Sequence, residues 1–154
     1  MNNPIYLYKS EDSLKIYEFK SEGPKGVIHK MVEYSETGTK NIYNLAFGDF
    51  NETTNAIDDS SITNNGDSIK VLATVASTVY AFTEKYPEAW IFASGSTTVR
   101  TRLYRMGITN NLAEIKVDFK VFGLTIEQNK WEEFIVGEDY EAFLITKKRK
   151  YLRR

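Results

Sequence analysis

The chain has 154 residues, of which 42% are hydrophobic and 14% aromatic, enough apolar material for one self-sufficient core. It has no cysteine, which excludes disulfides, thiolate nucleophiles and cysteine-bound zinc or iron–sulfur centres. The formal charge is only −1, no apolar run reaches the roughly 18 residues of a membrane helix, and Met1-Asn2-Asn3-Pro4 carries no leader pattern, so a cytoplasmic setting without membrane contact is expected.

Residues 6–8, 14–19, 27–34 and 41–47 are rich in Tyr, Ile, Val and Phe, and turn-forming stretches such as Ser10-Glu11-Asp12 and Gly23-Pro24-Lys25-Gly26 separate them. The pattern predicts four antiparallel strands joined by short links. In the fourth, Tyr43, Leu45 and Phe47 share a face, as in a sheet covered on one side. Residues 48–66 turn to Asn, Asp, Ser and Thr and predict a long loop. Over residues 67–86, Ile69, Leu72, Ala76 and Val79 fall on one side of a helix opened by Asp67 or Ser68 and stopped by Pro87. Residues 89–93 predict a short buried central strand, and residues 97–106 a second helix ended by Gly107. Ile115, Val117, Phe119 and Val121 alternate with Glu114, Lys116, Asp118 and Lys120, which predicts a strand with one wet face. Residues 131–136 and 140–145 predict a closing hairpin around Gly137-Glu138-Asp139. The fold class is α+β: a curved, mainly antiparallel sheet of about six or seven strands with two helices packed on one face.

Charge is unevenly spread along the chain. Residues 147–154 hold six basic side chains and no acid, whereas residues 1–146 hold fourteen basic and twenty-one acidic. This predicts a single domain over 1–146 and a basic tail over 147–154, which reads either as an arm for nucleic-acid phosphates or as a solvated end.

One segment has the layout of a site. Phe92-Ala93 leads into Ser94-Gly95-Ser96-Thr97, and a helix bearing Arg100, Arg102 and Arg105 follows. Free amides at a helix start, small hydroxyl residues and arginine forks together suit a phosphate or carboxylate. At 100° per residue, Thr97, Arg100 and Tyr104 share one side, Val99, Leu103 and Met106 form the side expected to face the core, and Arg102 flanks that stripe. The candidate ligand-binding set is therefore Ser94, Gly95, Ser96, Thr97, Arg100, Arg102 and Tyr104. The same residues also read as a helix cap with a solvated arginine face. Neither a phosphate loop nor a dinucleotide fingerprint is present, so no nucleotide cofactor is implied.

The run Ser94 to Arg105, together with Tyr140-Glu141-Ala142-Phe143-Leu144-Ile145, resembles a family of small bacterial proteins, mainly from Bacteroidetes, catalogued as a domain of unknown function. The resemblance spans nearly the whole chain. It implies a mixed α+β domain in a bacterial cytosol and brings no established activity with it.

Other chemistry is sparse. His29 is the single histidine, so a metal site built on several histidines is excluded. Asp49, Glu52, Asp58 and Asp59 match no calcium loop, and no metal is expected. Tyr6, Tyr8, Tyr17, Tyr34 and Tyr43 read either as base-stacking side chains on a sheet or as core pairs. The leading expectation is a binding module for a phosphate-bearing or other anionic ligand. The alternatives are a metal-independent, toxin-like ribonuclease using Arg100, Arg102, Tyr104 and His29, and an interaction domain that pairs with itself or with another protein.

Overall fold

The computed structural model describes residues 2–58, 63–95 and 97–148. Strands β1 (Tyr8–Ser10), β2 (Ile16–Gly23), β3 (Gly26–Glu36) and β4 (Ile42–Asn51) run antiparallel in chain order, and β5 (Ala56–Asp58) folds back on the end of β4. Helix α1 (Ser68–Lys85) is the crossover that lets β6 (Trp90–Ala93) lie parallel to β4. Helices α2 (Thr98–Asn110) and α3 (Leu112–Asp118) precede β7 (Phe119–Thr125), β8 (Trp131–Glu133) and β9 (Tyr140–Lys147). The order across the sheet is β1-β2-β3-β4-β6-β9-β7-β8, with β5 beside β4. The α+β class, the curved and mainly antiparallel sheet and the central place of β6 stand as expected, with nine strands among the described residues rather than six or seven.

Burial alternates along the strands because one face is covered by helices. Tyr17 and Phe19 of β2, Val32 and Tyr34 of β3, Leu45 and Phe47 of β4, Ile91 of β6, Val121 of β7 and Phe143 of β9 are buried with Val71, Val75, Val79 and Phe82 of α1. Tyr34 stacks on Phe82 at 4.1 Å between ring centroids, and Tyr17 meets Tyr34 edge-on at 5.9 Å. Each such large side chain contributes about 1.5–3 kcal/mol on leaving water. The tyrosines read as possible base-stackers thus serve the covered side: Tyr17 and Tyr34 are buried, and Tyr6, Tyr8 and Tyr43 pack against the same core. No helix among the described residues is long and apolar enough to cross a membrane.

Five details differ from the sequence reading, each for a physical reason. The stretch predicted as loop is partly strand. Asn51 accepts the Thr53 and Thr54 amides at 2.9 and 3.2 Å, and Asn55 takes the left-handed backbone at φ 58°, which together turn the chain from β4 into β5. Asp67 stands at the N-cap of α1 as expected, but its carboxylate accepts the Tyr6 and Ser21 hydroxyls at 2.5 and 2.6 Å instead of a helix amide, and Ile69 of the predicted apolar stripe is exposed. Gly107 does not end α2 but sits inside it, where a Cβ would lie 3.5 Å from Leu72 of α1. Residues 112–118 form α3 rather than strand; Ile115 is buried and Val117 is 70% exposed. Finally, β8 and β9 make no hairpin, because β7 lies between them.

Lys147 ends β9, and the Lys148 amide donates to the Asp118 carbonyl at 2.8 Å, so the strand reaches into the predicted tail. Residues 149–154 lie outside the described residues.

Candidate functional site

The turn between β6 and α2 opens onto a hollow of about 560 Å³. Its polar wall is Ser94, Thr97, Thr98 and Thr101, and Phe92, Leu124 and Glu141 close the other side. Thr97 caps α2, its hydroxyl accepting the Arg100 amide at 3.2 Å. Thr101 ties the turn down: its hydroxyl accepts the Gly95 amide at 3.2 Å and donates to the Thr97 carbonyl at 3.1 Å. Glycine is required at 95, since a Cβ there would stand 2.4 Å from the Thr101 nitrogen and 2.6 Å from the Arg100 Cβ. The remaining amides of the first turn have no acceptor inside the helix. No acidic residue occupies that turn.

The sequence-predicted residues divide. Ser94, Gly95 and Thr97 line the hollow, and Ser96 lies outside the described residues. Arg102 is exposed on α2 and does not line it. Arg100 and Tyr104 are 6% and 7% exposed, so the side of α2 from which they were expected to reach a ligand is the buried one, continued by Ile108. Val99 and Met106, expected inside, are exposed.

The reason is a gap in the sheet. On one side β4 pairs with β6 through Ile42–Asn44 and with β5 through Asp49–Asn51, and the stretch between has no strand beside it among the described residues. The Arg100 guanidinium occupies that gap, donating to the Phe47 carbonyl and, at 3.4 Å, to the Asp58 carbonyl. Arg105 is paired as well, with Asp139.

A second polar cluster lies at the same end of β3 and β4. Lys30 is 1% exposed and donates to Asp49 at 2.5 Å and to the Thr63 carbonyl at 2.8 Å, while Asp49 accepts the Thr63 amide at 3.0 Å and its hydroxyl at 2.5 Å. Every oxygen of Asp49 is engaged internally. Asp59 lies outside the described residues, and among those described no three His, Asp or Glu side chains gather as a metal site would need.

His29 sits on the helix-free face, edge-on to Phe50 at 6.2 Å and 3.8 Å from Glu52. Arg100 and Tyr104 belong to the covered side, so the sheet itself stands between them and His29.

Sequence reasoning missed Thr98, Thr101, Glu141 and Leu124 as part of the hollow. Only the threonines carried a signal, as hydroxyl residues in the first turn after Gly95. Glu141 and Leu124 arrive from β9 and β7, whose order beside β6 was not readable.

The chain belongs to the family of unknown function DUF6934, whose model matches residues 2–148. The resemblance carried by Ser94 to Arg105 and by Tyr140 to Ile145 is borne out at that level. Comparison with curated proteins and with solved structures gives no match.

Proposed function

We propose that this family member is a binding module whose ligand, a small phosphate-bearing or otherwise anionic molecule, seats in the hollow before α2. The observation that carries the reading is the conjunction of that 560 Å³ hollow with four hydroxyl side chains and the first turn of a helix free of acidic residues. Amides and the positive end of the helix dipole favour an anion there, and the Ser94, Thr97 and Thr98 hydroxyls add donors that adapt to its oxygens, Thr101 being committed to the turn. Glu141 on the opposite wall repels a bare polyanion but accepts from a hydroxyl, so a sugar phosphate or nucleotide suits the hollow better than inorganic phosphate. Phe92 and Leu124 give such a ligand an apolar wall. Arg102 is the exposed arginine of α2; Arg100 holds the sheet together and contributes by fixing the helix in place.

The test is Thr98→Glu. A carboxylate at the first helical position interacts favourably with the dipole, so the fold is retained and melting is unchanged or higher, while the anion is repelled. In NMR titrations with ribose 5-phosphate and with inorganic phosphate, the Thr98 and Val99 amides of the parent protein shift, ribose 5-phosphate at the lower concentration. In Thr98→Glu both titrations are lost. A parent protein that responds to neither probe, or a variant that titrates as the parent does, overturns the reading.

A further inference from the structure

The helix-free face of the sheet carries a second arrangement, which adjoins the hollow before α2. Strand registers set it out in rows. Lys120, Thr146 and Trp90 form one row; Phe122, Leu144 and Phe92 form the next; Trp131, Leu124 and Ala142 form the third. Trp90 stacks on Phe122 with centroids 6.2 Å apart and planes 28° apart, and Trp131 meets Phe92 edge-on at 6.2 Å. Trp90 and Trp131 are 38% and 40% exposed, unusual for a side chain that is highly buried on average.

Beside Phe122 the surface passes round the edge of β7 into a cleft of about 290 Å³ on the helix side, floored by Leu112, Phe119, Val121 and Phe134. Lys120 reaches it from the open face, Lys116 of α3 and Lys148 from the rim, and Glu133 is the one acidic group in its wall. Beyond Lys148 the sequence adds Arg149, Lys150, Arg153 and Arg154.

We infer that this face binds single-stranded nucleic acid, its bases stacking on Trp90, Phe122, Phe92 and Trp131 and its phosphates running past Lys116, Lys120 and Lys148. Flat exposed rings alone would suit another protein surface, and lysines alone would suit an acidic peptide. A single strand supplies unpaired bases and a regular line of phosphates at once, whereas a duplex hides its bases from a sheet. The otherwise acidic body confines the contact to this end of the molecule. The inference does not rest on the hollow before α2, although Phe92, Leu124 and Ala142 border both and the track leads from one to the other.

The experiment is fluorescence anisotropy of the full chain with labelled oligouridine and oligothymidine of about 12 nucleotides, and with a duplex of the same length. Both single strands bind more tightly than the duplex, and affinity falls steeply between about 50 and 200 mM salt. Trp90→Ala and Trp131→Ala each weaken binding about tenfold with an unchanged circular dichroism spectrum. The triple change of Lys116, Lys120 and Lys148 to Gln weakens it and flattens the salt dependence. The same triple change leaves the ribose 5-phosphate titration of the Thr98 and Val99 amides as in the parent, because none of the three lysines lines the hollow, which keeps this inference apart from the phosphate reading.

Equal affinity for the duplex overturns the proposal. So does tryptophan-independent binding that vanishes when Arg149, Lys150, Arg153 and Arg154 are neutralised, since the sheet would then play no part. A chain that binds no strand and instead sediments as a dimer, returned to monomer by Trp131→Ala, assigns the face to a second copy and overturns it too.

Discussion

Both faces of the sheet carry aromatic side chains, more of them on the covered one, and the two sets have opposite fates. On the covered side Tyr17, Tyr34 and Phe47 of the sheet and Phe82 of α1 are all but removed from water, and Tyr17, Tyr34 and Phe82 join ring to ring. On the open face Trp90, Phe92, Phe122 and Trp131 meet only in pairs and stay partly wet. A ring in the first set is held from several sides and earns its place by burial; a ring in the second leaves a flat surface available.

The largest break in that comparison comes from the covered face. Phe82→Ala removes the ring stacked on Tyr34 and is expected to cost about 4 kcal/mol in urea denaturation, within the usual range for a buried phenylalanine. Next comes the polar end of the same face. Asp49→Ala leaves the Lys30 ammonium buried without its carboxylate and costs about 3 kcal/mol, whereas Lys30→Met combined with Asp49→Asn, which keeps an oxygen for the Thr63 amide, recovers most of it. If the double variant were as unstable as the single one, the pair would be more than a charge to be balanced.

Alkaline titration gives a more gradual difference. Burial raises Tyr17 and Tyr34 on the covered side well above the ordinary phenol range, and burial with the Glu132 hydrogen bond pushes Tyr140 up to about 12. The folded state prefers these hydroxyls protonated, so their contribution is whole below pH 10, the unfolded value, and is lost as pH rises towards 12 and beyond. Stability should hold flat from neutral pH to about 9.5 and then fall, with phenolate absorbance appearing together with unfolding. Phenolate growing in fully before the fold is lost would show that these rings are less enclosed than they look. The smallest effect belongs to the open face: Trp131→Ala should change unfolding free energy by no more than about 1 kcal/mol, in contrast to its tenfold effect on oligonucleotide binding.

The α+β class, α1, β2 to β4 and β6 were legible in the sequence because each rests on a local signal long enough to have one period. The segment before β7 shows where that fails. Leu112, Ile115 and Phe119 are spaced for a helix, while Ile115, Val117, Phe119 and Val121 are spaced for a strand, and seven residues satisfy both. Pairing decides: Phe119 is already opposite Lys147, the last residue of β9, so earlier residues have no strand to join and close their hydrogen bonds as α3.

The candidate site divides in the same way. Ser94, Gly95 and Thr97 were readable, because a strand running into a small-residue turn and a capped helix is written in consecutive residues. Arg100 was not, since an arginine on a short helix belongs in water unless something inside needs its donors. What needs them is the Phe47 carbonyl, more than fifty positions earlier, left without a strand partner where β4 passes from β6 to β5. Sequence alone showed that β2 to β4 and β6 are extended, that α1 and α2 are helical and where charge collects, but not that residues 112–118 are helical. Tertiary structure decided which face of each met the core, because burial depends on the neighbours that β-strand order supplies, and a one-dimensional pattern does not contain that order.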